Sequence, residues 1–250
     1  MRRIALAFML MLFASPVGAE KLASTVSTAN VQITSSFDGA VLSLFGNIEA
    51  DTPDIALNGP YNVIVVVTGP LQDRVARLKT NRFGIWTNTD QVVFKQFPSF
   101  YSVISSGKLD LIASEELLAE EVVSPDDQAR ASAQNAGLKG EMFGGELVRL
   151  MTEEGHFAVN EIGVQFLSAT AYVAQLTLPS DVTNGPFLAH TLVLKDKQLV
   201  AEGTQGFSVR KTGFENFVFV SSRQYPLLYG IVCVLLALGT GWLAGVVFKR

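Results

Sequence analysis

Two kinds of apolar pattern divide the chain: short alternating or continuous runs over most of its length, and one long unbroken run at its C-terminal end. Val31 and Ile33, then Phe37, precede the turn pair Asp38-Gly39, and Val41-Leu42-Ser43-Leu44-Phe45 follows, which predicts a hairpin. Asn58-Gly59-Pro60 is a turn, and Tyr61 to Thr68 is a nearly continuous β-branched run, suited to a strand buried on both faces. Gly69-Pro70 punctuates it. Val75, Arg77 and Lys79 then alternate on one expected strand face, followed by strands at Phe83-Gly84-Ile85-Trp86, Val92-Val93-Phe94 and Phe100-Tyr101-Ser102-Val103-Ile104. Short strands at regular spacing with Gly, Pro and Asn turns predict an immunoglobulin-like β-sandwich unit over 20–112, although the Cys-Trp-Cys spacing of true immunoglobulin domains is absent.

The pattern turns helical over 113–157. Ser114-Glu115-Glu116 and Ser124-Pro125-Asp126-Asp127 are two helix starts, with a capping hydroxyl and first-turn acids. Gly137, Gly140, Gly144 and Gly145 interrupt the helical composition of 126–154, so two shorter helices are expected rather than one. Strand chemistry returns over 158–213: an apolar run from Phe166 to Leu178, then Phe187 to Leu194 pairing with Gln198 to Val200 across Lys195-Asp196-Lys197, and a last strand at Gly206 to Arg210. This is a second β unit, or the second half of one composite domain. A juxtamembrane segment, 214–225, carries Phe214, Phe217 and Phe219.

The C-terminal run, Pro226 to Phe248, contains no charged residue and as a helix spans about 34 Å, enough for a bilayer core. At the other end, Met1-Arg2-Arg3, the apolar Ile4 to Phe13, Pro16 and Val17-Gly18-Ala19 have the parts of a secretory signal, with cleavage expected after Ala19. A translocated N-terminus and the basic Lys249-Arg250 both place residues 249–250 in the cytoplasm. The expected topology is single-pass in the inner membrane, with the bulk in the periplasm.

Charge and cysteine content narrow the partners. Setting aside Arg2, Arg3, Lys249 and Arg250 from the 19 basic residues leaves 15 against 23 acidic ones between Glu20 and Tyr225. A body of that charge lacks the basic footprint of a nucleic-acid binder. The one cysteine, Cys233, lies in the apolar run, so the exported part holds no disulfide and must be stable through packing.

The candidate chemistry is sparse. His156 and His190 are the two histidines; Met142, Met151 and His156 are the one soft-donor set that would suit copper, with the two methionines expected on one face of an uninterrupted helix. No Gly-x-Ser-x-Gly elbow, clustered His/Cys zinc set or Gly-Lys-Ser/Thr phosphate loop is present. Glu115, Glu116, Glu120 and Glu121 are expected on a solvated helix face. No catalytic, metal or cofactor residue is therefore assigned, and a non-catalytic role is expected. Arg74, Arg77, Lys79 and Arg82 form a local basic group: a solvated strand face, or a docking patch for anionic headgroups or an acidic partner. Cys233, Ala237, Gly241 and Gly245 recur every four residues in the apolar run, a small-residue stripe of the kind that lets helices pack in a bilayer. Its expected partner is a second copy or another integral membrane protein.

Gly84-Ile85-Trp86-Thr87-Asn88, Pro98-Ser99-Phe100-Tyr101, Leu178-Pro179, Lys211-Thr212-Gly213-Phe214-Glu215, Pro226-Leu227-Leu228-Tyr229-Gly230 and Gly241-Trp242-Leu243 occur in this order. In these motifs, and across nearly the whole chain, the sequence resembles an alphaproteobacterial transmembrane protein family of unknown function. The resemblance implies a signal peptide, a periplasmic body and one C-terminal helix. It also implies an accessory role beside a membrane anion permease of the sulfite-exporter type, and it supplies no catalytic residues.

Overall fold

The computed structural model describes residues 20–34, 37–50, 59–133, 136–212 and 214–247. The expected secretory segment 1–19 and the basic tail at 249–250 lie outside them. Twelve strands follow in order among the described residues: β1 Glu20–Val26, β2 Asn30–Ile33, β3 Ala40–Ala50, β4 Asn62–Thr68, β5 Leu71–Arg82, β6 Ile85–Pro98, β7 Tyr101–Ser105, β8 Phe157–Asn160, β9 Val164–Phe166, β10 Ala171–Leu178, β11 Gly185–Lys195 and β12 Gln198–Lys211. Between β7 and β8 lie helices α1 Leu109–Ile112, α2 Glu115–Glu120, α3 Pro125–Ser132 and α4 Gly137–Glu153; α5 Phe214–Gln224 and α6 Pro226–Val247 end the described chain. The protein is mainly β, with a helical insertion and an apolar C-terminal helix.

The strands form a four-stranded sheet, β1-β3-β10-β9, and a six-stranded sheet, β2-β12-β11-β4-β7-β8. Leu42, Leu44, Ile48, Tyr172, Leu176 and Leu178 of the first share a buried core with Val63, Val65, Val67, Phe187, Phe207 and Val209 of the second. The opposite face of the six-stranded sheet, with Ile64, Val66, Leu192 and Leu194, is covered by the helices and by β6 through Val92, Phe94 and Phe97. β4 is thus sandwiched, which is why five consecutive residues, Val63 to Val67, are all buried. Both sheets combine strands from 20–112 with strands from the later part of the chain.

Several local expectations are corrected. β2 and β3 do not pair: β2 runs parallel to β12, and β3 lies between β1 and β10. Val31 and Leu42 point into one core from opposite sheets, so the alternation that suggested a hairpin is real but the partners differ. Phe83-Gly84 is not a strand start but the tip of a hairpin, with φ of +53° and +82° and the Asn81 side chain accepting from the Gly84 N–H at 2.9 Å. The expected strands on either side merge into β5 and β6, of 12 and 14 residues.

The helical stretch 125–153 does hold two helices, but the break falls before Gly137. Gly140 and Gly144 sit inside α4, where an added Cβ would lie 3.1 Å from Ala133 and 3.3 Å from Ala129 respectively. They let α4 approach the chain of α3 closely instead of breaking the helix. Both capping serines act as expected: Ser114 accepts from the Leu117 N–H and Ser124 from the Asp126 N–H.

Candidate functional site

The hairpin β5–β6 continues the β4–β7 pair past the sheet edge, since the Gly69 N–H donates to Phe100 and the Ser99 N–H to Pro70 at 2.8 and 2.9 Å. β12 runs towards that same end of the six-stranded sheet: Gly206, Leu188, Thr68 and Tyr101 lie in one row, and β12 goes on from Gly206 to Lys211, still paired with β11 as far as Val209 and with β2 from Ser208. From this end β12 proceeds to α5 and the apolar α6. Twelve residues in extended conformation reach about 40 Å. The inner half of the arm is seated, with Phe94 and Phe97 fully buried and Lys139 of α4 bonded to Asp90 at 2.6 Å. That bond, with the Gln91 N–H, holds the Asp90 carboxyl below the usual carboxylate range.

Beyond Asp90 the arm is bare. Every residue from 81 to 89 is exposed, and the tip presents Phe83, entirely in solvent, with Ile85 and Trp86. Residues 71–98 hold five basic and two acidic side chains in a chain of net charge −4, so the arm's sign is opposite to that of the whole.

The four basic residues all lie on β5, but not in one environment. Arg74 is half-buried on the side of Ala76. Arg77 is exposed and donates from Nε to Gln91 at 3.4 Å. Lys79 and Arg82 stand on the bare outer part, past a register shift at Leu78/Lys79 that leaves Thr89 without a ladder partner. Among the described residues, none of the four lies within 4.0 Å of a carboxylate.

Cys233, Ala237, Gly241 and Gly245 fall on α6 at helical spacing, and apart from the half-buried Tyr229 the helix is exposed. A Cβ built at Gly241 or Gly245 meets nothing within 4 Å, so the stripe is open. α6 has 22 residues and no buried side chain, long and apolar enough to cross a membrane. A bilayer, unlike water, is the solvent in which such a surface is stable.

The soft-donor set is not brought together. Nine helical residues make about two and a half turns, so Met142 and Met151 fall on opposite faces of α4, contrary to the one-face expectation. Met142 is 61% exposed and lines an apolar groove with Val75, Leu78, Leu147 and Leu150, whereas Met151 is 1% exposed. His156 is buried with Nε2 3.3 Å from Asp181. Its Nδ1 and the Ser99 hydroxyl are both buried without a hydrogen-bond partner, and no bond joins them.

A different cluster escaped the sequence. His190 on β11 has Nε2 3.6 Å from Glu121, the residue that closes α2, and 3.7 Å from Glu202 on β12. One donor atom from each of the three lies within 4.8 Å of the others. Nδ1 of His190 is 2.9 Å from the Thr204 hydroxyl, its directly opposed neighbour across the strands. Glu121 is held by the segment behind it, where the Tyr101 hydroxyl donates to the Val122 carbonyl. Glu121 belonged to the expected solvated acidic face; nothing local marks it as His190's neighbour.

Comparison with curated proteins gives no match. Among solved structures, the Pseudomonas fluorescens alkylpurine DNA glycosylase AlkC, bound to DNA containing an abasic site analog, aligns at 12% identity over 77% of this chain and 31% of that one. The TM-score is 0.25, and the chain spans about a third of that protein's length, so the likeness bears on neither fold nor function. The family described as "Putative transmembrane protein (Alph_Pro_TM)" matches residues 21–250, the β body and the apolar helix together. This chain, a membrane protein with one candidate C-terminal span, belongs to that family.

Proposed function

We propose that the chain is a membrane-anchored, non-catalytic accessory subunit whose β5–β6 arm docks on a second integral membrane protein. In this reading the β body lies in the periplasm and the C-terminus in the cytoplasm, as the Arg2-Arg3 apolar leader and the Lys249-Arg250 tail favour. The observation that carries it is the bare arm: an apolar tip of Phe83, Ile85 and Trp86, backed by Arg77, Lys79 and Arg82 without carboxylate partners. Exposed aromatic residues beside arginine are the composition of interface hot spots. Basic side chains on the arm favour an acidic surface on the partner. An arm rooted at the sheet end towards which β12 runs on its way to α6 sits where a membrane-embedded partner can be reached. The small-residue stripe on α6 gives that partner a second contact inside the bilayer. An anion permease of the sulfite-exporter type is the partner the family resemblance suggests.

The test is co-purification of the tagged full chain from native membranes, beside Phe83→Ser/Trp86→Ser and Arg77→Glu/Lys79→Glu. A multi-spanning permease recovered with the unaltered chain and lost from both variants is the expected result. The same proteins recovered with all three, or a second copy alone, would remove the reading.

A further inference from the structure

We propose that Glu121, His190 and Glu202 form a binding site for a divalent first-row transition metal, zinc in the first instance, with a coordination position open to solvent. The three donors come from three elements, the end of α2, β11 and β12, so their meeting is a product of the fold and not of sequence adjacency. Two glutamates converge on one imidazole, and among the described residues neither has a Lys or Arg nitrogen within 4.0 Å. Two carboxylates so placed repel each other unless a cation lies between them. A dication among them supplies that charge and uses all three donor atoms.

The two distances from His190 to the carboxylates fit with small movement. Zinc held at its usual distances in a tetrahedron sets its donors about 3.3–3.4 Å apart. The His190 Nε2 to carboxylate distances of 3.6 and 3.7 Å are a few tenths longer. Glu202 has a 60% exposed side chain and is free to close that gap. His190 is already oriented: Thr204 opposite it engages Nδ1 and leaves Nε2 towards the carboxylates. An outer hydrogen bond of this kind holds the ring angle of a ligating histidine. One imidazole with two carboxylates suits zinc, iron or manganese, and favours them over the soft monovalent copper that thioethers select. Three protein donors on a half-exposed surface leave a position for water or an anionic ligand, as in open zinc sites and unlike closed four-donor structural ones.

The experiment is calorimetric titration of zinc into the full chain, chelator-stripped, in detergent micelles. One zinc per chain is expected. His190→Ala and Glu202→Gln should each weaken binding at least about tenfold, and Thr204→Val, which keeps every ligand, about tenfold. His156→Ala should leave binding unchanged. If His190→Ala does not fold, the cobalt-substituted unaltered chain supplies the readout. A histidine Nδ1 proton shifted by the paramagnetic ion should appear, and should persist in His156→Ala, the other of the two histidines in the sequence. No zinc bound, no shifted proton, or equal affinity in all variants (an adventitious ion only) would each overturn the site.

Discussion

At the scale of single residues, packing rather than chemistry sets the strictest demands. Gly46 on β3 lies directly opposite Tyr172 on β10, and the tyrosine ring covers the place where a side chain would stand. A Cβ there would come within 2.3 Å of the ring, which is fully buried and has no free space to retreat into. A glycine inside a strand often marks such a close approach. Gly46→Ala is therefore expected to destabilise the fold by about 1–3 kcal/mol, the usual cost of overpacking, measured as a lowered melting temperature or denaturant midpoint. An unchanged transition would mean that the Tyr172 ring is not fixed.

The buried tyrosines also give the protein a pH signature. Burial, reinforced by the hydrogen bond to Glu20 and its charge, pushes Tyr61 up to about 12 from an ordinary 10.0. Burial likewise raises Tyr101, with Asp127 adding to it, and Tyr172. The folded state favours the neutral phenol, so its stabilisation is complete below pH 10. It is lost as pH rises through the interval in which the unfolded chain ionises first. Ultraviolet titration of the folded chain should show phenolate from these three appearing later than from the same chain in denaturant. Coincident curves would contradict their burial.

At the scale of elements, the arm and α6 are the two parts whose surfaces the body leaves uncovered. They differ in solvent. The arm tip is apolar with basic residues behind it, and is where the proposed protein partner would dock. α6 is apolar on every side and calls for lipid, so the information it carries lies in its stripe of small residues. In the proposed reading association there comes from close backbone approach, because lipid supplies no hydrophobic driving force between helices. Gly241→Leu/Gly245→Leu should abolish α6 association in a membrane reporter, while Leu236→Ile on the same helix should not. Equal association in all three would leave the stripe as composition only.

Across the whole molecule, the sequence showed clearly which residues are buried, and much less clearly what they are buried against. The β-branched run of β4, the capping serines of α2 and α3, the β11–β12 pairing and the apolar C-terminal helix each carry a local signal, and each was legible. Partners distant in sequence carry none. β2 pairs in parallel with β12 some 178 residues away, as Ser208 and Asn30 show by their side-chain bond. The same limit hid the His190 cluster. The β11–β12 turn at Asp196-Lys197 could have placed Glu202 diagonally beside His190, but Glu121 arrives from a helix laid over the sheet. The hairpin tip departs from the sequence expectation for a different reason. Phe83 takes a positive φ that bulky residues seldom adopt, in place of the usual Asn-Gly or Asp-Gly turn.

In the proposed function an anchored body presents its arm to another membrane protein. The most direct measurement is photo-crosslinking in intact cells from a light-activated residue placed at Trp86. The predicted result is a covalent adduct with an integral membrane protein other than this chain, which disappears when Arg77 and Lys79 are changed to Glu. An adduct with a cytosolic protein, with a second copy alone, or with nothing at all would contradict it.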